Sequence, residues 1–104
     1  MNKIGIGTAQ FGLKYGVANK LGKINFSAAQ RIIKLAEKNK IDVIDTAMTY
    51  GKSENILGKI GVSKFKLITK LPDIPIKCNN IEKWIEKKVK VSLNNLGVNS
   101  LCLA

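Results

Sequence analysis

Short apolar runs alternate with helix-like segments along the chain, and this alternation limits its possible folds more than any other feature. IGIG (Ile4 to Gly7) reads as a strand, and the glycine-bearing stretch from Thr8 to Phe26 as a long loop. SAAQRIIKLAEKN follows with a helical period, Ile32, Ile33 and Ala36 on one face. Ser27 and Gln30 have the spacing of a capping box, which predicts the helix start at Ser27. IDVID (Ile41 to Asp45) is the second strand. Ser53 to Ile60 is a second helix, expected to be capped by Ser53 and to turn Ile56, Leu57 and Ile60 inward. FKLITK (Phe65 to Lys70) is the third strand, and Pro72 and Pro75 mark the loop after it. Asn80 opens a third helix that runs to the left-handed stop expected at Gly97. SLCLA is a fourth strand.

The order is therefore βαβαβαβ, which implies parallel strands joined by right-handed helical crossovers. Two architectures accommodate it: an open doubly wound sheet, or part of an eight-stranded barrel with helices outside. A full barrel takes about 250 residues, and this chain has 104. The barrel reading expects Ile4, Ile6, Val43, Ile44, Leu67, Ile68, Leu101 and Leu103 to fill its interior. Glycines 5, 7 and 12 miss the spacing of a dinucleotide-binding phosphate loop, and no other glycine-rich loop opens a helix.

Composition removes several functions. No apolar run approaches the roughly 20 residues of a membrane span, and the first residues do not form a secretory signal, so the expected setting is the cytoplasm. There is no histidine, and Cys78 and Cys102 lack metal-ligand spacing, so no metal is expected. The formal charge of +11 could suit nucleic acid, but the lysines are dispersed and Arg31 is the only arginine. A lysine-rich nucleic-acid-binding domain is thus the weaker alternative. The stronger one is a non-enzymatic fragment that self-associates through open strand edges.

In parallel α/β folds chemistry gathers at the carboxyl ends of strands. There the chain carries Gly7 and Thr8 after the first strand, Asp45 ending the second with Tyr50 in the next loop, and Lys70 ending the third. Taken singly, such an aspartate caps a helix, such a tyrosine packs and such a lysine is solvated. At successive strand ends they form a usable set. A phenol is a weak acid at neutral pH, and an ammonium beside it stabilises the phenolate. A carboxylate holds the ammonium charged and in place. The product is a general acid able to protonate a carbonyl oxygen as a hydride arrives at carbon.

The same segments resemble the aldo-keto reductases. IGIGTAQFG is similar to their first strand, IDVIDTAMTYGKSENILGK to their most diagnostic segment, and FKLITKLP and VSLNNLGVNSLCLA to the segments around strands three and four. The resemblance implies a partial TIM (β/α)8 barrel, about three βα units plus strand four, as one partial domain over residues 1–104. It implies NAD(P)H-dependent reduction of an aldehyde or ketone, with NADPH or NADH as cofactor and a small-molecule carbonyl as substrate. It places Asp45, Tyr50 and Lys70 as catalytic residues, and Gly7, Thr8 and Asp45 against the cofactor. Glu54 and Leu57-Gly58 are expected to be structural. The loop GTAQFGLKYGVANKLGK is similar to members tied to bacterial surface-polysaccharide pathways, implying a sugar-related carbonyl. The family's histidine after strand four is expected just beyond Ala104, so the chain alone is expected to be inactive.

Overall fold

The computed structural model describes residues 4–13 and 24–104. Four strands, β1 (Ile6–Gly7), β2 (Val43–Asp45), β3 (Lys66–Thr69) and β4 (Cys102–Leu103), form one sheet. All neighbours are parallel and the order is β1-β2-β3-β4. A doubly wound sheet reverses its strand order at a switch point. This one advances by one strand at each crossover, as a barrel wall does.

The helices decide the same question. Between the strands run α1 (Ala9–Gly12), α2 (Phe26–Lys38), α3 (Ser53–Ile60) and α4 (Ile81–Leu96). One core joins Ala29, Ile33 and Ala36 of α2, Leu57 of α3 and Leu96 of α4 to Ile44 and Leu67 of the sheet. These helices therefore cover a single face. Ile44 and Leu57 are fully buried, and burying each such side chain contributes roughly 1.5–3 kcal/mol. Ile44 and Leu67 sit side by side in register and point to the helices, not to the barrel interior expected of them. The strand pleat alternates side chains between faces, so half of each apolar run belongs to the outer layer. Ile4 and Leu103 are exposed.

Three local expectations also change. The long loop after β1 begins with α1, whose Phe11 is buried in the core; its Gly16 and Gly22 lie outside the described residues. Asn25, not Ser27, caps α2: its backbone is extended and its side chain accepts from Ala28 N at 2.8 Å. Ser53 is not a cap but the first residue of α3, and it is buried. Asn80 does cap α4, accepting from Lys83 N at 3.0 Å, and Gly97 is left-handed at φ 67°. There Val98 N donates to the Leu93 carbonyl in the expected C-terminal closure. Gly58 lets α3 approach α4 closely, because a Cβ there would fall on the Asn95 carbonyl.

Candidate active site

Each strand that reaches the upper rim sends alternate side chains to opposite faces. Gly7, Asp45, Ile68 and Cys102 share one register row, on the face away from the helices. Lys70 follows β3 and reaches back across the rim. Its ammonium donates to both oxygens of Asp45 at 2.9 Å and to the Thr46 carbonyl at 3.0 Å. The Tyr50 ring centroid lies 5.4 Å from the same nitrogen, within cation–π range. The three residues expected to act together are thus adjacent, and each is only partly buried.

The ammonium stays charged. Partial burial lowers its affinity for a proton. The hydrogen bonds and charge of Asp45, joined by Tyr50, more than offset this and raise Lys70 above the ordinary value of 10.5. Lys70 is therefore a fixed positive charge at neutral pH, not a proton acceptor.

Tyr50 is held by its loop. Its N–H donates to the Ala47 carbonyl, and its own carbonyl accepts from Ser53 N as the chain enters α3. Gly12 at the end of α1 packs against this turn. A Cβ there would fall on the Tyr50 carbonyl, so only glycine allows the approach.

Gly7, Thr8 and Asp45 line one cleft of about 280 Å3 with Ala9, Gln10 and Tyr50. Above Gly7 the space is open: a Cβ built there meets nothing within 4 Å. Thr8 is fully buried at the edge of the cleft, its hydroxyl donating to the Asp45 carbonyl at 3.0 Å. Among the described residues, the cleft lining contains no lysine or arginine.

Below the rim lies a polar layer that the sequence reading missed. Ser53 Oγ sits 3.0 Å from Thr46 Oγ1 and donates towards Thr8 at 3.1–3.2 Å. Glu54 is 5 % exposed, and its carboxylate accepts from Thr69 Oγ1 at 2.9 Å and from Ser92 Oγ at 2.7 and 2.9 Å. It was expected to be structural, and it bridges three elements. The signal was present as hydroxyls in inward positions: Thr46 and Thr69 on the helix-facing side of strands, and Ser92 one helical turn before Leu96. A hydroxyl at an apolar position implies a buried partner. Among the described residues, no buried side-chain nitrogen or oxygen lacks one.

The sequence model of the Aldo/keto reductase family matches residues 3–103. The chain belongs to that family. Two solved structures from Pseudomonas aeruginosa, both assigned to the aldo-keto reductases, superpose on this reductase-family chain. The first is 26% identical, with a TM-score of 0.74 over 93% of this chain and 39% of its own. The second has a TM-score of 0.71 at 24% identity, covering 93% and 38%, and speaks for the fold alone. The chain thus spans well under half the length of these relatives and forms part of their barrel. No curated protein matches it.

Proposed function

We propose that this rim carries the proton-transfer half of an NAD(P)H-dependent reduction of an aldehyde or ketone. The observation that carries the reading is the Lys70 ammonium held between the Asp45 carboxylate at 2.9 Å and the Tyr50 ring at 5.4 Å. Tyr50 gives its phenol proton to the carbonyl oxygen. Lys70, charged and fixed, stabilises the negative charge left on the phenol oxygen. Asp45 keeps Lys70 charged and stops it swinging into solvent. A reduced nicotinamide held by Gly7, Thr8 and Asp45 would supply the hydride that the carbonyl carbon takes up. The products are an alcohol and the oxidised cofactor, and Tyr50 regains its proton from water.

The cleft over Gly7, Thr8 and Asp45 suits the nicotinamide end of NADPH or NADH. The adenine and phosphates then belong to other parts of a complete barrel. No helix among the described residues is long and apolar enough to cross a membrane, and no group of acidic, cysteine or histidine residues there could hold a metal ion. We place the reaction in the cytoplasm, on small carbonyl compounds, with sugar-related ones foremost. The chain by itself falls short of turnover in this reading.

Consumption of NADPH with a panel of aldehydes tests it. A completed barrel carrying this chain should turn over, and Lys70→Met in it should lose at least about 100-fold, within the usual range for general acid catalysis. Unchanged turnover in Lys70→Met would remove the proposed role of the ammonium.

A further inference from the structure

The first turn of α3 touches the neighbours of both charged rim residues. Ser53 meets Thr46, which follows Asp45. Glu54 meets Thr69, which precedes Lys70. On β3 the pleat makes these contacts consequential. Thr69 faces the helices while Lys70 faces the rim, so a bond that fixes the Thr69 hydroxyl fixes the rotation and height of the strand end from which Lys70 departs. Glu54 is itself anchored from the far side by Ser92 of α4, through both carboxylate oxygens. Burial adds weight: a carboxylate in a low-dielectric layer holds its two hydroxyl donors more strongly than it would in water. The Asp45–Lys70 pair is more than a third exposed on both sides and has no such enclosure of its own. An exposed pair adds little stability of its own, so the strand ends beneath it share in setting its alignment.

We propose that Glu54 is the positioning residue of the rim, holding Lys70 on Asp45 and beside Tyr50 through the buried relay Ser92–Glu54–Thr69. Glu54 touches no reacting atom in this scheme. A carboxylate suits the role because it accepts from two hydroxyls at once, whereas an amide offers one acceptor. The inference rests on the reading of the rim given above.

The test reads Lys70 directly, without cofactor or substrate, so it stands apart from any failure of the reduction itself. In the chain labelled with 13C at the lysine ε-carbon, the Lys70 resonance is the one lost in Lys70→Arg. In the wild-type protein it should titrate above 10.5. In Thr69→Val, which keeps the volume and the carboxylate but removes the link, its titration falls towards 10.5. Glu54→Leu does the same, and Glu54→Gln, which keeps one acceptor, falls less. Ile33→Val loosens the core without touching the relay and leaves Lys70 as in wild type. Should Glu54→Leu fail to fold, Thr69→Val carries the test alone. Wild-type titration in folded Thr69→Val, an equal fall in Ile33→Val, or a Glu54→Gln protein no closer to wild type than Glu54→Leu would each overturn the proposal. A Lys70 that responds as described, in a barrel that reduces no carbonyl, would overturn the proposed function and leave the positioning intact. In an active barrel Thr69→Val should lower kcat by up to about 100-fold, the loss that an ångström of misplacement can bring, with KM little changed.

Discussion

The two faces of this one sheet are built for different ends. Towards the helices, Ile44 and Leu67 meet Leu57, Ile33 and Leu96, and the few polar groups among them are satisfied by hydroxyls and one carboxylate. On the opposite face and its upper rim, Asp45, Lys70 and Tyr50 are partly open to solvent. The covered face has apolar enclosure, and its loss should be felt as instability. The rim has charge and reach, and its loss should be felt as altered chemistry on a chain that still folds. A parallel strand lets neighbouring residues serve both ends: Ile44 and Asp45 are adjacent in sequence and opposite in role.

The sharpest way to break that contrast is Leu57→Ala. A fully buried leucine in a packed core typically costs 2–5 kcal/mol on truncation, about that range here, a large part of the stability of any small domain. Denaturant unfolding should show a lower midpoint with little change in slope, and a loss under about 0.5 kcal/mol would mean the core closes over the gap. Gly12→Ala comes next and sits on the boundary. Its Cβ must displace the Tyr50 carbonyl, so it should destabilise by about 1–3 kcal/mol, as overpacking does, and should also shift the Tyr50 side-chain NMR signals. A stability loss without movement of Tyr50 would place the strain elsewhere.

Lys70→Met should have the smallest effect on folding. Its ion pair is 37 % and 43 % exposed on its two sides, and such pairs contribute about 0–1 kcal/mol. The pH dependence follows from the direction of the Lys70 shift. A lysine raised above 10.5 in the folded state adds stability that is fully present below that value and is lost as pH rises through its folded value. Wild type and Lys70→Met should therefore differ by a constant amount at neutral pH and converge in alkali as the ammonium loses its proton. Convergence at neutral pH would mean another group controls the pair.

Much of this was legible from residues alone, and the gaps have physical causes. The alternation of strand and helix and the strand-end positions of Asp45 and Lys70 are local features, and the Asn80 and Gly97 helix ends are equally local. Which half of each apolar run meets the helices was not legible, because short buried strands are apolar on both faces and lose the alternation that would mark them. The α2 cap was misplaced because Ser27 offers a complete capping box while Asn25, two residues earlier, is the one in extended backbone. The family match confirmed the resemblance, since it rests on segments that span the chain. The Glu54 relay escaped notice because its partners, Thr69 and Ser92, lie 15 and 38 positions along the chain, and only the fold brings them together.

The rim, not the core, is proposed to do the chemistry, with Tyr50 as its proton donor. Tyr50→Phe in a completed, active barrel tests it most directly, because the change removes one oxygen from a partly exposed residue and leaves the covered face untouched. Steady-state reduction of an aldehyde, cofactor titration by fluorescence and thermal unfolding should be measured on the same preparation. Turnover should fall by at least about 100-fold while cofactor affinity and unfolding midpoint stay close to wild type. Turnover within about tenfold of wild type, a factor worth about 1.4 kcal/mol of barrier, would show that Tyr50 only packs against Lys70 and would contradict the account.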